Sequence, residues 1–244
     1  MKYKLGRLPV KHDPRTLKLE KYLHTNLVVP PSAAWGTKIT NWGMMMNDTL
    51  GDCTCAGAGH LIMTWTSEAS TLVTPTDDQI VAAYSAITGY TPSDPNSDQG
   101  ANELDVLNYW SNNGIAGHKI GAYVSINPKN LNHVKLGIAL FGGVYLGVNI
   151  ADTDMNTVQQ GNTNWSDTGG NLEGGHAIPL VAYDVNSFTA VTWGALQTMT
   201  PEWFLARCEE AYAIVSPDWV ENTNLAPSGV NMEALVADLQ AVKA

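Results

Sequence analysis

Cys53 and His176 are the residues of this chain whose type and setting suit nucleophilic chemistry. Cys53 follows Gly51-Asp52 and opens a run to Glu68 in which Ala56, Ala58, Leu61, Ile62 and Trp65 recur at helical spacing. A glycine for the tight turn and an aspartate at the N-cap position predict that the thiol lies in the first helical turn. Unpaired N–H groups and the positive end of a helix favour thiolate there, and the same N–H groups can hold an oxyanion. His176 sits in Gly174-Gly175-His176-Ala177-Ile178-Pro179-Leu180, where two glycines permit close backbone approach before an apolar strand. A thiol nucleophile needs such a base within hydrogen-bond reach. Each residue also has an ordinary reading, as an inert buried cysteine or a core histidine bonded to a carbonyl.

The elements that must position this pair follow from local pattern. Thr76 with Gln79 forms a capping box leading into Ile80–Ile87. Gly89–Gly100 is a polar loop, and Glu103–Asn112 reads as a helix stopped by Asn113-Gly114. Beyond it, Tyr123–Ile126, Val144–Ile150, His176–Tyr183, Phe188–Trp193 and Ala211–Val215 read as strands. Leu131–Leu140 reads as a short helix and Thr153–Asn171 as a polar loop. This is an α+β pattern: a helical N-terminal half, an antiparallel β-rich C-terminal half, and a cleft between two lobes. Residues 1–29 read as a basic, core-poor arm, 30–228 as the packed domain (30–120 mainly helical, 121–228 mainly β), and 229–244 as a helical tail. In that tail Leu235, Val236, Leu239 and Val242 share one face.

Composition narrows the class. The chain has 244 residues, 44% hydrophobic and 15% charged, enough to bury a real core. Its net charge of −10 and pI near 4.9 argue against nucleic acid or anionic membrane as partner. The longest apolar run, Leu136–Ile150, is interrupted by four glycines and is too short to span a bilayer. The N-terminus has no apolar stretch of the kind a secretory signal needs. Three cysteines, Cys53, Cys55 and Cys208, make no disulfide framework, which fits a reducing compartment or a particle assembled in one.

Several segments, in order, resemble the papain-like (C1) cysteine peptidases, most of all their bacterial and phage branch. Met46-Asn47-Asp48-Thr49-Leu50-Gly51-Asp52-Cys53-Thr54 resembles the nucleophile segment, and Val29-Pro30-Pro31-Ser32-Ala33-Ala34-Trp35 the mature N-terminus. Asp98-Gln99-Gly100 with the helix after it resembles the glycine-rich substrate strand. Gly142–Val148 resembles the Gly-Pro-Val strand, Gly175–Tyr183 the histidine strand, and Thr192-Trp193-Gly194 the Ser-Trp-Gly turn. The resemblance spans roughly Val29 to Val215. It implies a two-lobed papain-like fold and a peptidase or amidase acting through a Cys53 acyl-enzyme with His176 as base, without cofactor or metal. It also implies Asn47 at the position of an oxyanion-hole glutamine and Trp193 as a shield over the histidine. Gly100, Val148, Gly175 and Trp193 would border a peptide or protein substrate with small, apolar contacts.

Three departures stand out. The orienting asparagine of the family falls on Val191 counted back from Trp193, and on Thr192 counted forward from His176; a one-residue register decides between them. Leu50 stands where the first bridging cysteine belongs. Twenty-nine residues are too few for a bulky helical propeptide, so the arm is expected to lie across the protein or to bind neighbouring subunits. A non-catalytic role in a phage head, neck or tail is therefore the second functional expectation, with a cytoplasmic or virion location. Cys55 and Cys208 read as small core residues, and His60 as too deep to reach the thiol. Cys53, Cys55, His60 and His176 have poor zinc spacing. Asp152, Asp154, Asp167 and Glu173 read as a solvated acidic face, and the eight tryptophans as core anchors.

Overall fold

The computed structural model describes residues 3–69, 71–220 and 228–243. Lys2 and the side chain of Val242 lie outside the described residues. The first half contributes β1 (Ala33–Ala34) and helices α1 (Cys53–Glu68), α2 (Asp77–Thr88) and α3 (Glu103–Asn112). The second half contributes β2 (Ala122–Ser125), α4 (Leu131–Phe141), β3 (Val144–Ala151), α5 (Asp152–Gln159), β4 (Asn164–Trp165) and β5 (Leu172–Tyr183). It ends with β6 (Phe188–Thr192), β7 (Ala195–Met199), α6 (Pro201–Arg207), β8 (Cys208–Val215), α7 (Pro217–Val220) and α8 (Met232–Lys243).

One sheet runs in the order β2-β8-β3-β5-β6-β7-β4, with β1 added beside β5. All its pairs are antiparallel except β4 with β7. Strand alternation divides the interior in two. Tyr145, Ala177, Val181, Val191 and Tyr212 face a core shared with α1 and α3. Val144, Leu146, Val148, Ile178 and Leu180 face a second core shared with α4, α6 and α8. The α+β layout, with every strand but β1 in the second half, is the one the sequence predicts, while the helices are divided between the two halves.

The predicted helices form where capping chemistry places them. Thr76 and Gln79 make the reciprocal capping box of α2. The polar stretch 153–171 departs from expectation, since α5 and β4 both form within it. Asp154 is the reason: it is 1% exposed, accepts from Trp203 Nε1 (2.6 Å) and pairs with Arg207 Nε at 3.1 Å. It is thus a buried tie between α5 and α6 rather than part of a solvated face. In the tail, α8 buries Leu235 and turns Val236 outward, while Asp238 accepts from Lys21 and Tyr22 (both 2.7 Å). The first 29 residues are not core-poor either, because Leu19 and Tyr22 are fully buried. No helix among the described residues is long and apolar enough to cross a membrane.

Helices α2 and α4 both end on a left-handed glycine, Gly89 (φ 78°) and Gly142 (φ 70°). A Cβ at Gly89 would meet open space, whereas one at Gly142 would lie 2.5 Å from the Trp219 ring. Gly89→Ala should therefore cost only the left-handed penalty of about 1 kcal/mol, a fall of a few degrees in Tm. Gly142→Ala should cost at least twice that by thermal unfolding, and equal losses would contradict the packing described for Trp219.

Candidate active site

Cys53 is the first residue of α1, as its sequence setting predicts. The helix start is made by backbone rather than by a side-chain cap: the Asp52 carbonyl accepts from Cys55 (2.8 Å) and Ala56 (3.0 Å), and the Asp52 carboxyl makes no cap bond. Burial pushes that carboxyl well above its usual range. The Cys53 sulfur is buried and receives the Ala177 N–H at 3.4 Å, so it lies against the strand residue that follows His176.

His176 comes from β5 and is also buried. Its Nε2 is 2.8 Å from Thr192 Oγ1, and its Nδ1 has no hydrogen-bond partner, the thiol included. The tautomer that donates from Nε2 to Thr192 leaves the Nδ1 lone pair available to take a proton. Val191 is turned into the first core. The register question left open by the sequence is thus answered by strand alternation: the polar group behind the imidazole is Thr192.

A strained hairpin sets the next layer. Thr192 pairs with Ala195, so Trp193-Gly194 is a two-residue turn between β6 and β7, with φ of 45° and 74°. Positive φ at both positions suits the twist of a tight hairpin and is costly for tryptophan. The strain delivers the indole onto His176, stacked at 4.3 Å and 18°. The indole covers one face of the buried imidazole there.

The cleft beside this pair is filled by the chain's own N-terminal residues. Arg7 N donates to Gly175 O (3.0 Å), Ala101 N to Gly6 O (2.9 Å) and Leu8 N to Ala101 O (2.9 Å). Lys4 N donates to Asn47 O (3.2 Å), and Trp193 Nε1 to Lys4 O (3.2 Å). The Tyr3 ring stacks on Trp193 at 4.9 Å. Contact is so close that a Cβ on Gly6 would lie 1.9 Å from Gly51 O, one on Gly100 2.2 Å from Gly6 O, and one on Gly175 2.4 Å from Arg7 O. Of the two expectations for the arm, the structure has it lying across the protein, where an extended strand spans a cleft with few residues. The Gly6 N–H lies close enough to the thiol to favour its charged form.

The covered site is dry, and its titration reflects that. Burial, with the charges of Asp52 and Glu103, pushes the Cys53 thiol up to about 12 against the N–H groups of Ala177 and Gly6. Burial, then Arg7 and His60, pulls His176 down to about 3. The covered pair is therefore neutral thiol beside neutral imidazole rather than an ion pair.

Other predicted site residues separate into two groups. Gly100, Gly175 and Trp193 border the cleft and touch the arm. Asn47 is buried with its Nδ2 donating to Leu50 O (3.1 Å), so its donor is internally engaged in this state. Val148 is corrected to a core residue, because alternation along β3 gives the cleft face to Gly147 and Asn149. Arg7, Asn149, Glu209 and Glu210, which meet in the cleft, carried no signal: Arg7 lies in a basic arm and the glutamates just ahead of the strand read at 211–215. His60 is bonded to Gly43 O (3.1 Å), and Cys55 and Cys208 are buried and free.

No protein-family model matches the chain, and no curated protein sequence matches it. Solved structures do. Xylellain, a cysteine protease from Xylella fastidiosa, superposes with a TM-score of 0.66 at 16% identity, covering 88% of this chain and 96% of its own. A procathepsin B from Trypanosoma congolense gives 0.60 at 9% identity over 87% and 86% of the two chains. Bromelain from Ananas comosus gives 0.53 at 12% identity over 77% and 99%. The chain thus has the papain-like fold of these cysteine proteases.

The depressed His176 makes a pH prediction. A histidine ordinarily near 6.5 and held near 3 binds its proton more readily in the unfolded chain, so its contribution to stability is present above 6.5 and lost as pH falls toward 3. Asp52 and Glu103, raised by burial, act in the opposite sense. Comparison with His176→Gln isolates the imidazole: the variant should lose less stability than wild type between pH 6.5 and 4, by on the order of 3 kcal/mol in denaturant unfolding. Parallel pH profiles would contradict a buried, neutral His176.

Proposed function

We propose that the protein is a papain-like thiol peptidase or amidase whose cleft is closed by its own N-terminal arm. The observation that carries this reading is the side-chain arrangement: a cysteine at the start of a buried helix, beside a histidine whose rear nitrogen is held by Thr192 and whose ring is covered by Trp193. With the arm withdrawn, water re-enters, and desolvation no longer opposes charge on either group. Cys53 Sγ then attacks the carbonyl carbon of a bound amide while its proton passes to His176 Nδ1. The oxyanion is held by the Cys53 N–H in the unpaired first turn of α1, joined by Asn47 Nδ2 once released from Leu50. The same proton goes from His176 to the leaving amine. Water then attacks the thioester, His176 taking its proton, and the acid is released.

Thr192 is a positioning residue in this scheme: it fixes ring orientation and tautomer without touching substrate. Peptides and proteins are the proposed substrates, in keeping with the cysteine proteases that share the fold. The non-catalytic reading in a virion or other assembly finds no support among the solved structures that share the fold.

Gly6→Ala offers the test, since its methyl would meet the Gly51 carbonyl and has no room while the arm is seated. The full-length variant should alkylate at Cys53 with iodoacetamide at least about tenfold faster than wild type, as thiolate becomes accessible. Labelling of Cys208, read by peptide mass mapping, should not change. A Cys53 no more reactive than Cys208 in the variant would sink the proposal. Thr192→Val in the Gly6→Ala background should lower kcat by roughly 10- to 100-fold and leave KM nearly unchanged, because it loosens the base and not the substrate.

A further inference from the structure

The arm does more than cover the thiol, because one of its side chains fills a built pocket. Arg7 leaves the main chain beside the reactive pair: its N–H bonds Gly175 O, the residue before His176, and its preceding peptide faces the sulfur. Its guanidinium is 1% exposed. Nη2 donates to Glu209 Oε2 (2.6 Å) and Asn149 Oδ1 (3.0 Å), and Nη1 to Glu210 Oε1 (3.1 Å). Tyr212 Oη donates to Glu210 Oε2 (3.0 Å) and fixes that carboxylate from behind. Glu103, fully buried and without a hydrogen-bond partner, stands close enough to feel the charges of Arg7 and Glu210. Gly147 opens the space: a Cβ there would lie 2.8 Å from Arg7 Cδ and 2.6 Å from Glu210 Cγ. Three carboxyl groups thus surround one guanidinium, and that guanidinium belongs to the segment that must leave before any substrate binds.

We propose that the pocket filled by Arg7 is a substrate subsite for a basic side chain, arginine above all, with Glu209, Glu210 and Asn149 as its specificity-determining residues and Gly147 as its opening. The inference rests on the peptidase reading and adds a substrate class to it. The expectation of small, apolar contacts is thereby replaced. Withdrawal of the arm costs Glu209 and Glu210 the cation that pairs with them and holds Glu209 ionised. A substrate residue that restores the cation recovers that loss, whereas leucine or glutamate cannot. The planar fork of arginine can engage two carboxylates and an amide at once, which the single ammonium of lysine cannot. Through Arg7 the arm pairs in parallel with Ala101 and antiparallel with Gly175, and its Gly6 N–H favours the charged thiol. A substrate running the other way turns a carbonyl to it, while alternation along an extended chain still sends a side chain into this wall.

The test protein is the full-length Gly6→Ala/Arg7→Ala chain, with the arm displaced and its cation removed, and Gly6→Ala is kept in every variant that follows; Arg7→Gln replaces Arg7→Ala should that chain not fold. Blocked dipeptidyl aminocoumarins carrying Arg, Lys, Leu or Glu at either position serve as substrates. At one of the two positions Arg should exceed Leu by at least about tenfold in kcat/KM, with Lys between them. Added Glu209→Gln and Glu210→Gln should bring that ratio to within about threefold, and Gly147→Val should abolish it by filling the pocket. Calorimetry of the matching Arg and Leu peptides on the Cys53→Ala/Arg7→Ala chain reads the pocket without turnover. Arg preference in binding without any turnover would uphold the basic pocket and reject the peptidase. Turnover with no preference for Arg at either position would overturn the subsite and leave the peptidase standing, and binding with neither preference nor turnover would overturn both.

Discussion

A helix buried on every side must meet its neighbours through small residues, and α1 does so. Cys53 through Ser67 are all buried, and the run Ala56-Gly57-Ala58-Gly59 carries almost no side chain. A Cβ at Gly57 would lie 3.1 Å from the Tyr145 ring, and one at Gly59 2.6 Å from Met45 Sδ. Tyr145 Oη reaches across from β3 to the Thr54 carbonyl at 2.6 Å. These close approaches fix the N-terminus of α1 against β5. The position of the thiol beside the histidine strand is a consequence of that packing, as is the floor on which the arm lies.

The electrostatics of the cleft follow from who excludes the water. With the arm in place, desolvation dominates and neither Cys53 nor His176 carries charge. The same segment brings its own charge to the far wall, where Arg7 meets Glu209 and Glu210. Those contacts hold Glu209 ionised against burial, while Glu210 and Glu103 are pushed upward by burial. The arm therefore buries Cys53 and His176 and anchors itself through a charge cluster one residue away. The rest of its grip includes main-chain pairing with Gly175, Ala101 and Asn47, which is indifferent to side-chain identity except at Gly6, and the Tyr3 ring stacked on Trp193.

Local chemistry was the legible part of the sequence. Capping at Thr76, the helix beginning at Cys53 and the apolar strands each leave a short-range pattern, and each element formed where its pattern lies. Thr192 behind His176 was one of two alternatives, and only the parity of β6 could choose. The same parity, unknown along β3, exchanged Val148 for Gly147 and Asn149 at the cleft. Asp154 looked like one of several loop acids because its partners, Trp203 and Arg207, are about fifty residues away. The arm was the least legible of all. Extended main-chain pairing has no periodicity, and Arg7 differs from its basic neighbours only in what it meets in three dimensions.

The central claim is that this cleft hydrolyses amides once its own arm has left. Its most direct test is turnover of a fluorogenic peptide by the full-length Gly6→Ala chain, followed by addition of a synthetic peptide of residues 3–13. The account predicts steady hydrolysis that depends on Cys53 and falls as the arm peptide is titrated in, with Arg7→Ala weakening the peptide's effect. A displaced arm with an accessible, reactive Cys53 and no hydrolysis would contradict it.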